Sequence, residues 1–201
     1  MSELDEHVEL TGAGTAPFVF TAPHDKTHHR LADNELIRKM SEPGTGALAR
    51  LLAVELSGTS AVNISDVGDA NWDAAHPLKD ILLRDNRIGP GTYLLDLHGM
   101  LDKHGIDIAV GPGRYPERSE SLVEPLAASL RDAGFSVLVD REGRFAARGE
   151  HRVTTWAQSR GADAIQIEIS ASLRRLKLDH PRHVELQKAL YQPLSSLIPP
   201  T

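Results

Sequence analysis

Apolar positions along this chain fall into short runs that alternate with stretches of helical spacing. Runs rich in β-branched residues or leucine predict strands over 17–22, 59–65, 91–97, 106–110, 135–139 and 163–169. Continuous runs such as Tyr93-Leu94-Leu95 and Ser136-Val137-Leu138-Val139 suit strands covered on both faces. Between them, Leu48, Leu51, Leu52 and Val54 form an apolar stripe that predicts a helix over 45–57. Leu122, Val123, Leu126 and Leu130 predict a second over 118–133, stopped by Gly134. Helices are also expected over 150–160 and over 181–195, the latter with Pro181 in its first turn. Alternating strands and helices imply an α/β fold, a three-layer α/β/α sandwich around a mixed, largely parallel sheet. Ligands of such sheets bind beyond the carboxyl ends of the strands.

Composition narrows the function. A chain of 201 residues suits one α/β domain spanning 1–201. A formal net charge of −6 argues against nucleic acid as partner. The absence of cysteine removes disulfides, thiolate ligands and a cysteine nucleophile, so any zinc site must use nitrogen and oxygen. An acidic start, Met1-Ser2-Glu3-Leu4-Asp5-Glu6, and the lack of a run of about 20 apolar residues predict a cytoplasmic protein with no membrane association.

Chemistry concentrates where strands end. Pro23-His24-Asp25-Lys26-Thr27-His28-His29 follows the run Phe18-Val19-Phe20, and His98 ends Tyr93-Leu94-Leu95-Asp96-Leu97-His98-Gly99. A hydrolytic zinc keeps three protein ligands and one open position. His24 and His29, with His98 from a distant strand, fit that arrangement, and Asp25 and His28 compete for the second local position. The competing view of His24 is a loop histidine bonded to backbone. A proton shuttle is also required, and Glu168 in Ile165-Gln166-Ile167-Glu168-Ile169-Ser170 is the candidate. Alternation puts Gln166, Glu168 and Ser170 on one face and the isoleucines on the other; an edge strand wetting its polar face would give the same pattern. Asp96 shares a face with His98, as an orienting carboxylate or as the cap of the next turn. The polar loops 66–79 and 140–151, the second with Arg141, Arg144 and Arg148, are placed to line a pocket.

With these residues in view, the chain resembles the N-formylglutamate amidohydrolase family and its zinc-carboxypeptidase-like relatives, including phage poly-γ-glutamate hydrolases. The likeness runs in order through Pro23-His24, Asp69-Ala70-Asn71 with His76-Pro77, Leu95-Asp96-Leu97-His98-Gly99, and Ile165 to Ser170 with Leu173-Arg174. It implies a phosphorylase/hydrolase-like fold, one catalytic Zn2+, His24 and His98 as ligands, and Glu168 as general acid/base. The implied substrate is a small carboxylate-bearing amide, an N-acyl amino acid or γ-glutamyl-type compound cut at its C–N bond. Three departures stand out. His29 occupies the place where the phage hydrolases carry a carboxylate. Asp25-Lys26 replaces small residues, and Trp72 follows Asn71 where the amidohydrolases often have Arg. With that guanidinium missing, Asn71 and one of Arg84, Arg148 and Arg174 are the expected substrate-binding groups, Arg148 and Arg174 foremost. The alternative is a non-catalytic metal- or ligand-binding protein that retains the fold.

Overall fold

The computed structural model describes residues 3–198. Its strands are β1 Val8–Thr11, β2 Phe18–Ala22, β3 His28–Ala32, β4 Glu35–Lys39, β5 Thr59–Asn63, β6 Tyr93–Met100, β7 Ile108–Gly111, β8 Val137–Val139 and β9 Asp163–Ser170. Its α-helices are α1 Thr45–Glu55, α2 Pro77–Arg84, α3 Glu120–Asp132, α4 Val153–Gln158, α5 Ala171–Arg174 and α6 Pro181–Ser195. The six strands and four helices expected from the apolar runs are all present. The sequence pattern did not reveal β1, the β3–β4 hairpin, α2 or α5. Residues 77–84 form only about two turns, and Leu78, Ile81 and Leu82 alone mark their buried apolar face; a Pro at the first turn and the His76 ring, accepting from Leu78 N–H at 3.1 Å, start the helix.

Seven strands form one mixed sheet in the order β1-β5-β2-β6-β9-β7-β8. Neighbours β5-β2-β6-β9 run parallel, as do β7 and β8, while β1 and the β7–β9 pair are antiparallel. One face carries Phe20, Leu95, Leu97, Ile165 and Ile167 against α1, α3 and α6. The other carries Val19, Leu94 and Ala164 against α2 and α4. On this second face the side chains change character along each strand. Val19 gives way to Thr21, Leu94 to Asp96 and His98, and Ala164 to Gln166 and Glu168. Register locks the change into a patch, because Thr21 pairs with Asp96, Asp96 with Gln166, and His98 with Glu168. β9 lies inside the sheet, between β6 and β7, so its polar face is not a wetted edge.

The hairpin β3–β4 forms a separate two-stranded sheet inserted between β2 and α1. Asp33 and Asn34 both have positive φ, 52° and 63°, the two-residue turn that Asn and Asp tolerate best among side-chain-bearing residues. Leu31 and Leu36, paired across the strands, are exposed.

Stability is set by the first face. Phe20 is fully buried between α1 and the sheet. Phe20→Ala is expected to cost about 3–5 kcal/mol in urea unfolding, and Leu138→Ala on the exposed side of β8 less than about 1 kcal/mol.

Candidate metal centre

Three side chains converge at the carboxyl ends of β2 and β6. His24 follows β2, His98 lies in β6, and Glu42 lies between β4 and α1. Glu42 reaches between the two rings: His24 Nδ1 is 3.4 Å from Oε1 and His98 Nδ1 is 3.3 Å from Oε2. The carboxylate is held from behind by the Gly99 N–H, 2.9 Å from Oε2, and its own N–H donates to His24 O at 2.7 Å. Gly99 leaves room for the Arg174 side chain, whose Nε lies 2.3 Å from where a Cβ would stand.

The far nitrogens of both rings meet buried carboxylates. His24 Nε2 donates to Asp69 Oδ1 at 2.9 Å. His98 Nε2 lies 3.0 Å from Asp96 Oδ2 and 2.8 Å from Asn71 Nδ2, an amide fixed by the Val153 N–H donating to its Oδ1 at 2.6 Å. A proton on Nε2 serves Asp96 and leaves Nδ1 bare toward Glu42; a bare Nε2 accepts from Asn71 instead. Asp96 Oδ2 is a buried oxygen with no aligned donor, an orphan that a proton on Nε2 would satisfy. Its other oxygen accepts from Thr21 Oγ1 at 2.7 Å. Imidazoles backed by carboxylates on one nitrogen and facing a third carboxylate with the other form a donor set that fits zinc.

Electrostatics agree with the geometry. Burial pushes the His24 and His98 pKa values down, but Glu42 with Asp69, and Asp96 with Glu42, outweigh it and leave both raised, His98 strongly. Burial would raise Glu42, yet the two imidazoles hold it well below the carboxylate range. Glu168 behaves oppositely. Burial raises it, His98 draws it back, Glu42 pushes it up again, and it settles at about 7. Gln166 Nε2 orients it, donating to Oε1 at 3.0 Å.

A second group, His24, His28 and Asp69, also brings donor atoms within 4.8 Å of one another. Its carboxylate is already committed: Asp69 Oδ2 accepts from Arg30 Nε and Nη2 at 2.8 and 2.5 Å, and Oδ1 accepts from the Asn71 N–H. Nor does Asp69 line the cavity, of about 320 Å³, onto which His24, Glu42, His98 and Glu168 open. The set with Glu42 is therefore the better metal site. His28 is buried and stacks on His24, rings 4.2 Å apart.

The other expected site residues lie elsewhere. His29 pairs with Asp66 at the surface, because alternation along β3 turns it away from His28 and Arg30, and it belongs to neither donor group. Asp25 accepts from the Gly46 N–H at the start of α1. Asn71 holds His98 and is not on the cavity wall. Arg148 is exposed and off the wall. Arg174 is buried across Gly99, where Nη1 donates to Pro43 O at 2.9 Å and so fixes the turn that presents Glu42. Arg84 pairs with Asp85, far along α2. The arginines on the wall are Arg30, Arg144 and Arg152. Glu42 had no motif around it; the one available signal was the Asp33-Asn34 turn, which folds the chain back and delivers Glu42 beside His24.

Comparison with solved structures gives the same architecture. A bacteriophage poly-gamma-glutamate hydrolase superposes with a TM-score of 0.63 at 15% identity, over 94% of this chain and 89% of that one. YNDL in a zinc-free apo form gives 0.61 at 18%, over 94% and 90%. N-formylglutamate amidohydrolase from Ralstonia eutropha JMP134 gives 0.55 at 16%, over 95% and 96%. At such identities the likeness establishes the fold, and the groups that the sequence resembles are among those sharing it. No family model and no curated protein matches the chain.

Two outcomes follow from the geometry. Asp96→Asn, which replaces the carboxylate behind His98 with a neutral amide, is expected to weaken zinc binding about 10–100-fold in a competition titration. In the metal-free protein, Glu168 has an ordinary pKa near 4.5 when unfolded and about 7 when folded, so its contribution to stability falls as pH rises from 4.5 through 7. Glu168→Gln should raise metal-free stability by about 1–2 kcal/mol at pH 8, allowing for screening in the open cavity, and leave it unchanged at pH 4.

Proposed function

We propose that the protein is a zinc-dependent hydrolase of a C–N amide bond in a carboxylate-bearing substrate of the N-acyl amino acid or γ-glutamyl type. The observation that carries this reading is the juxtaposition of the His24–Glu42–His98 donor set with Glu168, paired directly with His98 across β6 and β9. The names of the structural neighbours support it, since the phage enzyme is a poly-gamma-glutamate hydrolase and the Ralstonia enzyme an N-formylglutamate amidohydrolase. Among the described residues no helix is long and apolar enough to cross a membrane.

His24, Glu42 and His98 would hold the metal, which when bound supplies a nucleophile at neutral pH and polarises the amide carbonyl. Glu42 takes the place among the ligands that the resemblance gives to a carboxylate and that His29 cannot fill from β3. Asp69 and Asp96 keep the two rings turned and raise their basicity. Glu168 takes a proton from the attacking water as its oxygen bonds to the amide carbon. It then delivers that proton to the leaving nitrogen as the C–N bond breaks. Burial, which raises this carboxyl above its ordinary value in the metal-free protein, favours its holding the proton between the two halves of the task. Gln166 keeps it aimed during the exchange.

The test separates metal from chemistry. Wild-type protein is expected to carry zinc near one per chain, and His98→Ala or Glu42→Ala to lose it. Glu168→Gln should retain zinc while amide hydrolysis falls about 10²-fold or more across an N-acyl amino acid panel. Full zinc with no turnover difference between wild type and Glu168→Gln would mark the chain as a metal-binding protein that keeps the fold.

A further inference from the structure

The hairpin β3–β4 leaves one of its two edges uncovered. On the β3 side the loop before α2 takes up the outward main-chain groups. The His29 N–H donates to Asp66 Oδ1 at 3.0 Å, and Leu31 O accepts from Trp72 Nε1 at 2.8 Å. Both groups point away from β4, so His29–Arg38 and Leu31–Leu36 are the non-hydrogen-bonded pairs of the antiparallel ladder. The N–H and C=O of Leu36 and Arg38 therefore point out from the opposite edge. Among the described residues nothing bonds to them. Side chains leave the strand open too, with Leu36 68% and Ile37 39% exposed. A free edge of this kind is a template for another strand.

The residues of β4 select which strand fits. It reads Glu35-Leu36-Ile37-Arg38-Lys39, with opposite charges at equal distances from Ile37. Laid antiparallel on a second copy about a twofold axis at Ile37, Leu36 meets the partner's Arg38. Both residues point outward, so each such pair exchanges two main-chain hydrogen bonds. The aliphatic stem of Arg38 then covers the exposed leucine. Glu35 meets the partner's Lys39 in a non-hydrogen-bonded pair, where side chains approach closest. Among the described residues neither Glu35 nor Lys39 has an ion-pair partner within the chain.

Other registers lose these contacts. A slip of one residue sets outward groups against inward ones. An axis at Arg38 places two guanidiniums opposite each other. An axis at Leu36 runs the pairing into the Asp33-Asn34 turn, whose positive φ values end the extended backbone. The outer strands of the main sheet offer no equivalent. β8 is three residues without charge, and Glu9 of β1 is already paired with Arg50.

We propose that the β4 edge is a self-association surface, on which two copies pair antiparallel about Ile37 and join their hairpins into one four-stranded ribbon. Five residues a side make a small contact, so association is reversible and in the micromolar range. Lys39 also lines the cavity, so the pairing brings the partner's Glu35 to the rim of the metal centre.

Sedimentation equilibrium from about 1 to 300 μM should show monomer passing to dimer. Glu35→Lys and Lys39→Glu each set like charges opposite one another at two places. Each should weaken self-association at least about tenfold. Mixed together, the two variants match every lysine with a glutamate and should form a heterodimer of wild-type strength. The chain has no cysteine, so a single introduced thiol reports the axis directly. Ile37→Cys should oxidise to a covalent dimer, since facing Cα atoms of such a pair stand about 4.5 Å apart, and Glu35→Cys should not. All these side chains are exposed or half-buried, and urea midpoints matching wild type confirm an intact monomer. Wild type that stays monomeric across this range overturns the proposal. So does a dimer that neither charge variant weakens, or one that cross-links equally through Glu35→Cys and Ile37→Cys. Weakened variants that mixing does not restore overturn the register about Ile37.

Discussion

The structure depends on one electrostatic constraint: Glu42 must stay ionised between two buried imidazoles on the cavity wall. A buried carboxylate without partners would protonate, and buried imidazoles without partners would lose their charge. Here each group supplies what the other lacks, and Asp69, Asp96 and the Gly99 N–H complete the set. Removing any one member leaves an uncompensated buried group, which is more costly than never having built the cluster. A divalent cation would fit the same logic, since its charge would balance Glu42 beside the two imidazoles.

That constraint reaches the backbone. The chain between His24 and Glu42 has to leave the sheet and return to the same spot, and the hairpin β3–β4 does this with a two-residue turn. Arg174 then pins the returning turn through Pro43 O, and Gly44, with φ 100° and Arg174 O standing where a Cβ would be, allows the close contact. On the far side, Lys79 Nζ donates to Asp73 O and His151 O, tying the loop that carries Asp69 and Asn71 to the one before α4. Burial lowers this lysine to about 8, with Asp73 and Asp96 opposing the shift. A three-residue stretch, Asp69 to Asn71, thus orients both rings at once.

The sheet explains why the cluster lies where it does. α2 and α4 cover only the first part of their face, so Leu94 and Ala164 are packed while Asp96, His98 and Glu168 run on past the helices. Parallel strands bring those extensions to a common edge, and the register of β6 on β9 places Glu168 beside His98.

Much of this was legible in the residues. Apolar runs predicted the central strands, alternation in 163–169 put Glu168 on the face opposite the isoleucines, and position at strand ends singled out His24 and His98. Those are local properties, governed by side-chain periodicity and by the cost of idle polar groups at the end of a buried strand. Choosing the third member of the donor set was not local. His29 is five residues from His24 and Glu42 eighteen, yet pleating turns His29 outward to Asp66 while the hairpin carries Glu42 back. Likewise Asn71, Arg148 and Arg174 had the right chemistry for a substrate, and only the packing of loops from separate strands put Arg144, Arg152 and Lys39 on the cavity wall in their place. The sequence by itself determined six of the sheet's seven strands and two of the strand ends where the donor set gathers. Tertiary structure decided which distant side chains meet there, because a donor set a few ångströms wide is defined by chain reversals that no short-range pattern encodes.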